Sequence, residues 1–163
     1  MSRREAPDRL TELAPVEVGG WILRLRARLR TGVPRARVFA SEARLGTRLD
    51  VEWRLDHGAR AITNISVALV GTEVARQRIS ARTGISVVAQ RHPFLTLALD
   101  RQMPEPAART SAGRGSVTIT APAVPTLIGR LNEISWAIVV EAAFQAEPIW
   151  TREFAVTVRR VAP

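Results

Sequence analysis

The sequence predicts an all-β protein, an antiparallel sandwich of two sheets, and two features of the chain indicate it. Apolar and polar residues alternate in many short runs, as they do on strands that bury one face. Turn residues recur between these runs at the spacing typical of sandwiches, and no convincing helix of about ten residues separates them. With 163 residues and 46% hydrophobic content, the chain is long enough for one ordinary core. We therefore expect a single domain.

The first strand is expected after an N-terminal tail. Residues 1–15 are polar and flanked by proline, so we assign them to a tail and residues 16–163 to one β-sandwich domain. After Trp21, apolar residues occupy every second position and arginine occupies the positions between them. A helix would spread these arginines over much of its surface, which favours a strand with one charged face. The charged positions are Arg24, Arg26, Arg28 and Arg30.

The remaining strands follow from the same alternation. The clearest one covers residues 45–55 and ends at the turn signal Asp56-His57-Gly58. Residues 100–116 are rich in Pro, Gly, Ala and Arg and predict a long mobile loop. In total we expect about eight or nine strands. Shorter alternating or apolar runs occur at residues 65–69, 74–79, 85–89, 94–99, 117–119, 134–140 and 154–158.

Composition excludes several classes of function. The chain has no cysteine, which excludes disulfides, thiolate nucleophiles and zinc sites built on cysteine. No apolar run approaches the ~20 residues of a membrane-spanning helix, and no apolar segment follows the arginines near the N-terminus. We therefore expect a soluble, cytoplasmic protein. The net charge of +9, whose positive side is carried entirely by arginine, favours acidic proteins, nucleic acid or anionic lipid as partners.

Residue types that serve catalysis are present, but not in catalytic arrangements. His57 and His92 occupy turn-like positions, and two isolated histidines offer no preformed pair of metal ligands. The chain has no Gly-x-Ser-x-Gly nucleophile motif. Residues 113–116, with the sequence GRGS, lack the lysine and the following helix of a phosphate-binding loop, which indicates a flexible loop. The acidic residues are scattered singly and are expected to pair with arginines, as at Glu42, Asp50, Glu52 and Glu73.

The tryptophans differ in their expected surroundings. Trp53 and Trp136 fall on the apolar side of alternating strands, where large rings usually fill the space between sheets. Trp21 and Trp150 lie at the margins of strands or loops. Each of these two is either a packed residue or an exposed anchor for a partner.

The arginines at positions 24–30 carry the most information about function. On a strand they repeat about every 6.6 Å along one face, and burying them together would cost far too much desolvation energy. In water, neighbouring charges at this spacing repel by only about 0.6 kcal/mol, so the run is tolerable without a partner. Two explanations remain open: an anionic partner binds this face, or the charges protect an edge strand from aggregation.

Three segments taken together resemble a known family. They are LGTRLDVEWRL at residues 45–55, ITNISVALVGTEVA at 62–75, and a stretch at 125–158 that contains PTLIGRLNEISWAIVVEA and EPIWTREFAVTV. Their order and spacing resemble the arrestin-like β-sandwich, which is immunoglobulin-like in general architecture, and particularly its bacterial relatives of the sporulation-control type. In that family a P-T-x-x-G turn leads into a strand with the pattern I-x-W-x-I-x-V. The matching positions here are Pro125, Thr126, Gly129, Ile134, Trp136, Ile138 and Val140.

The resemblance implies a class of function rather than a reaction. The matched positions determine the fold, and the family's function implies a non-enzymatic adaptor or scaffold that holds other proteins through its loops and sheet surface. Arrestin-type proteins usually contain two sandwiches in tandem, whereas this chain has room for one. A mechanism in which cargo lies between two domains is therefore not implied.

We accordingly expect a protein-interaction module with no catalytic residues, no cofactor and no metal, which docks an acidic surface of a larger assembly. The expected contacts include the loop at residues 100–116. An alternative is that the same arginines bind nucleic acid or an anionic membrane surface. An enzyme is a third hypothesis, and it requires an active site built from residues that we interpret as structural. The residues expected to contact a partner are Arg24, Arg26, Arg28, Arg30 and Trp150.

Overall fold

The protein is described here by a computed structural model covering residues 10–16, 33–81, 84–105, 107–120 and 123–160. Within these ranges all regular structure is β-strand, and no helix is long and apolar enough to cross a membrane. The strands are β1 (Thr11–Glu12), β2 (Arg35–Ala40), β3 (Ala43–Arg44), β4 (Arg48–Asp56), β5 (Ile62–Ala81), β6 (Gly84–Gln102), β7 (Thr110–Thr118), β8 (Leu127–Ile128), β9 (Asn132–Phe144), β10 (Trp150–Val156) and β11 (Val158–Arg159).

The strands form two antiparallel sheets. The first sheet has the order β1-β2-β4-β7, and the second has the order β10-β9-β5-β6 with β8 paired to β9. Strands β3 and β11 form a short parallel pair apart from these sheets. The predicted fold class, an antiparallel two-sheet sandwich, is confirmed.

The core lies between the two sheets and follows the alternation of the sequence. Along β4 every second residue is buried, from Leu49 to Leu55, and these side chains meet the buried faces of β5, β9 and β10 in one cluster. Trp53 and Trp136 are 3% and 2% exposed, so their predicted place in the core is confirmed. Burial of each large apolar side chain contributes about 1.5–3 kcal/mol to folding.

A glycine makes room for a pair of aromatic rings, one in the core and one packed against it. The rings of Phe94 and Trp136 meet edge to face, with centroids 5.5 Å apart and planes at 84°. A β-carbon at Gly71 would lie 2.7 Å from the Phe94 ring and 3.0 Å from the Trp136 ring. Gly71 therefore lies inside β5 because a side chain there would displace this pair, and not because the strand ends.

The predicted mobile loop at residues 100–116 is wrong over most of its length. Strand β6 continues to Gln102 and β7 begins at Thr110, so the connection is limited to residues 103–109. The glycines of the GRGS segment lie in β7, where they allow it to approach β6 closely. A β-carbon at Gly113 would lie 2.8 Å from the Trp53 ring, and one at Gly115 would lie 2.7 Å from the carbonyl carbon of Leu99.

The opposite side of the sandwich is crossed by the segment at residues 10–16, most of which we assigned to the tail. Thr11 and Glu12 pair with β2 of the first sheet. A few residues later, Pro15 forms a bridge to Phe154 in β10 of the second sheet, and the backbone N–H of Val16 donates to the carbonyl of Glu153 at 2.7 Å. These residues thus connect the two sheets and do not form a free tail.

Four runs that we predicted as separate short strands belong to one long hairpin, β5 and β6. A register irregularity between Gly71 and Thr72 lies opposite Pro93, so a glycine and a proline, residue types that often end strands, mark a bulge inside the hairpin. β9 pairs with β5 only as far as Ala75. Beyond that point β5 pairs with β6 alone, and residues 76–81 with 84–89 form a two-stranded segment that we call the β5–β6 ribbon.

Candidate interaction surface

Four of the five residues predicted to contact a partner, the arginines at positions 24–30, lie outside the described residues, as does Trp21. Trp150 is the first residue of β10, pairs with Ala142 of β9, and packs against the core while partly exposed. It forms part of the wall of the sandwich and is not an isolated surface anchor. Its role in binding remains a prediction.

The outer face of the first sheet carries arginines that the sequence analysis did not select. Residues directly opposite each other in antiparallel strands share a face, and the register places β2, β4 and β7 side by side. We call this surface the arginine face. It consists of Arg35, Arg37, Arg48, Arg54 and Arg114 together with Asp50, Glu52 and Asp56.

Each carboxylate of the arginine face pairs with an arginine of the same face. The atoms Nε and Oδ1 are 2.8 Å apart in Arg48–Asp50 and 3.2 Å apart in Arg54–Asp56. The third pair joins Arg114 Nε to Glu52 Oε1 at 2.9 Å, across β7 and β4. Because all these side chains are well exposed, each pair contributes only about 0–1 kcal/mol to stability.

The other two arginines of this face lie on β2. Arg35 and Arg37 form no ion pair with any residue that the structure describes, and both are exposed. Arg37 also lies directly opposite Arg54, a like-charged neighbour. At a separation of about 5 Å in water this repulsion is close to 0.8 kcal/mol. Glu12 of β1 lies opposite Phe39 on the same outer face, so five arginines meet four carboxylates and the outer face of this sheet carries an excess of one positive charge.

His57 lies at the end of β4, as the turn signal predicts, but its side chain is only 3% exposed. Its Nε2 lies 3.3 Å from the hydroxyl oxygen of Ser111, which is also buried. Burial lowers the pKa of His57, against the opposing effects of the Arg60 backbone and the Asp56 carboxylate. Because both members of the Ser111–His57 pair are buried, the pair fits a structural role better than attack on a substrate.

Arg60 closes the same end of the sandwich. Its guanidinium carbon lies 5.3 Å from the centre of the Phe144 ring, and its Nη1 is 3.4 Å from Glu147 Oε2. The side chain of Arg60 is 5% exposed, so the ring and the carboxylate replace water around its charge. The sequence offers no signal for this burial, because Arg60 follows a turn as many exposed arginines do.

A shallow open groove of about 510 Å³ lies between β1, β3 and β11. Its acidic residue, Glu42, accepts a hydrogen bond from Arg44 at 2.7 Å and lies near Arg159. The Arg44 hydrogen bond, with the charges of both arginines, lowers the pKa of Glu42. Among the described residues no group of three His, Asp or Glu side chains is placed to bind a metal ion.

Comparison with known proteins adds information at the level of the fold. No protein-family model and no curated protein sequence matches the chain. Among solved structures, the chain is similar to Spo0M, a sporulation control protein from Bacillus subtilis, with 11% sequence identity and a TM-score of 0.52. The alignment covers 78% of this chain and 50% of Spo0M, so the chain spans about half of that protein. The architecture of this chain is therefore an arrestin-like β-sandwich, as the sequence resemblance implied.

Proposed function

We propose that this chain is a non-enzymatic protein-interaction module that docks the acidic surface of a partner protein through the arginine face. The observation that carries the proposal is the arrangement of Arg35, Arg37 and Arg54. Two of these arginines lack a carboxylate partner among the described residues, and two are placed opposite each other. A carboxylate on a partner would relieve that repulsion and form a paired contact.

The arrestin-like fold supports a regulatory or interaction module in general. The proposal adds the docking surface and the chemistry of the partner. The arginines at positions 24–30 belong to the same proposal, because they precede β2 in the chain and continue its pattern of alternating arginine. We propose that they and Trp150 extend the contact area, and that the protein acts in the cytoplasm.

A protein partner fits this face better than a phosphate backbone does. Asp50, Glu52 and Asp56 lie between the arginines of the face. Carboxylates at these positions would repel the regularly spaced phosphates of nucleic acid or a lipid surface. A protein surface can present both signs of charge, so it can match arginines and carboxylates together.

A second candidate, binding to nucleic acid or an anionic membrane, is supported by the net charge of +9. It predicts a different response to salt. Binding by release of counterions from phosphates weakens steeply and uniformly with salt, whereas a mixed-charge protein interface depends on a few complementary contacts. Binding to a labelled oligonucleotide and to vesicles containing anionic lipid, each at two salt concentrations, distinguishes the two.

The test is charge reversal on β2. The native partner is recovered by pull-down and mass spectrometry, and its affinity is then measured for the wild type and for Arg35→Glu combined with Arg37→Glu. We expect the affinity to fall at least about tenfold, because attraction becomes repulsion. The matched control reverses Arg130 and Arg160, which are exposed and form no ion pair with a described residue, and it should leave the affinity nearly unchanged. Equal losses in both variants would show that net charge alone drives binding.

A further inference from the structure

We infer that two copies of this chain associate by pairing the outer edges of their β6 strands in antiparallel orientation over residues 84–91. This inference does not depend on the proposed docking partner, because it concerns the other sheet. β6 is the last strand of the second sheet, so one edge of it has no strand partner among the described residues. The glycines of β7 approach β6 near Leu99, Asp100 and Gln102, at the other end of the strand from residues 84–91.

The open part of this edge lacks the charges that usually protect edge strands. Residues 84–90, with the sequence GISVVAQ, contain no charged side chain, although 24% of the chain is charged. The segment is bounded on one side by Arg91 and Pro93, and proline has no N–H to offer a further strand. All the residues from 87 to 93 are exposed. The edge is therefore accessible and suited to pairing over about eight residues, longer than an average strand.

Additional strands would stabilise the β5–β6 ribbon, because it extends beyond the rest of its sheet. A hairpin of two strands is marginally stable in water, and three or more strands are needed for independent stability. Val87 and Val88 are adjacent in the strand, so they point to opposite faces, and they are 59% and 41% exposed. Pairing of two ribbons would form a four-stranded sheet and would cover part of both valines with a second pair.

A second copy of the chain can pair with this edge without placing like charges opposite each other. If the two-fold axis passes between Val87 and Val88, each valine faces a valine of the other chain, a favourable β-branched pair. Arg91 then lies opposite Gly84 of the other chain, and the two Arg91 residues are about 23 Å apart, well beyond the screening length of about 8–10 Å in physiological salt. Arg91 is also paired with Glu153 at 3.3 Å, which reduces the repulsion further.

The inference is tested on the full chain by sedimentation velocity from about 1 to 100 µM, a range in which a moderately stable dimer dissociates. We expect the wild type to be dimeric at the upper end. The variant Val87→Lys with Val88→Lys places four ammonium groups near the axis and should raise the dissociation constant at least about tenfold. The control Thr110→Lys with Ser116→Lys adds the same charge on β7, opposite Asp56 and Asp50, and should leave it unchanged.

A second measurement keeps the inference testable if the lysine variant disturbs the ribbon. The chain has no cysteine, so single variants Val87→Cys and Val88→Cys report only on their own neighbours. A short bis-maleimide should cross-link them into dimers, and should not cross-link Ser116→Cys. Three results would overturn the inference. They are a wild type that remains monomeric at about 100 µM, a dimer that Val87→Lys with Val88→Lys does not weaken, and cross-linking at residue 116 alone. The inference would also be overturned if the edge of β6 is covered only after a strand from a different protein is added.

Discussion

Replacing Gly115 by alanine tests whether β7 lies against β6 or belongs to a mobile loop, as the composition of residues 100–116 suggests. A β-carbon at this position would lie 2.7 Å from the carbonyl carbon and 3.1 Å from the α-carbon of Leu99, both backbone atoms. Ordinary contacts to a β-carbon begin near 3.4 Å. The two sheets would therefore have to separate locally, because a backbone cannot rotate away as a side chain can.

The expected magnitude follows from two opposing effects. Overpacking of this kind costs about 3 kcal/mol or slightly more. Alanine also restricts the unfolded chain, which stabilises the protein by about 0.4–1 kcal/mol. The net loss should be about 2–3 kcal/mol, and in urea, with a slope near 1.5 kcal/mol per M, the midpoint should fall by about 1.5 M.

The assay is urea unfolding followed by tryptophan fluorescence, since Trp53 and Trp136 lie in the core. Ser116→Ala is the matched control, because Ser116 is the next residue of β7 and is exposed, and it should change the stability by less than about 0.5 kcal/mol. If Gly115→Ala is neutral or stabilising, β7 does not contact β6, and the glycines are loop residues after all.

Three further predictions concern the core, the arginines and the buried histidine. Trp136→Ala should lower the free energy of unfolding by about 3–5 kcal/mol, because it empties a large space in the core, and a loss below about 1 kcal/mol in urea would place the ring at the surface. Arg26→Glu with Arg28→Glu should weaken binding of the recovered partner at least about tenfold, while the urea midpoint changes little, as solvated charges contribute within about 0.5 kcal/mol. If the affinity is unchanged, the explanation for the arginines at 24–30 is protection of an edge strand against aggregation. Because burial lowers the pKa of His57, the unfolded chain binds a proton more readily than the folded one, so stability should be constant above about pH 6.5 and fall as the pH drops below it. His57→Gln should make the free energy of unfolding depend less on pH in this acidic range. An unchanged pH dependence would show that other groups cause it.

The cationic face predicted at positions 24–30 lies outside the described residues and stays a prediction, while the structure brings other arginines together. The net charge and the run at positions 24–30 predicted a cationic face for an acidic partner. The arginines that the structure places together come from β2, β4 and β7, and the register decides that Arg37 faces Arg54 and that Arg114 faces Glu52. The sequence contained a usable signal in the segment RARVFA, where arginine also alternates with apolar residues. Which strands lie side by side cannot be deduced from that alternation.

The alternation of apolar and polar residues by itself determined the class of the fold and most of the core. It placed Trp53, Trp136 and the buried face of β4 correctly, because the two-residue period of a strand is a local property of the chain. The order of segments was also sufficient to indicate an arrestin-like sandwich.

Only the tertiary structure decided what the glycines and prolines do. Gly71, Pro93, Gly113 and Gly115 suggest turns when the sequence is considered locally, yet all four lie inside strands. Gly71 makes room for the Phe94 and Trp136 rings, and Gly115 makes room for the backbone of Leu99. The physical reason is that a missing β-carbon serves two purposes, freedom of the backbone and close approach of another atom. The second depends on residues that are distant in sequence, so no local pattern can distinguish it from the first.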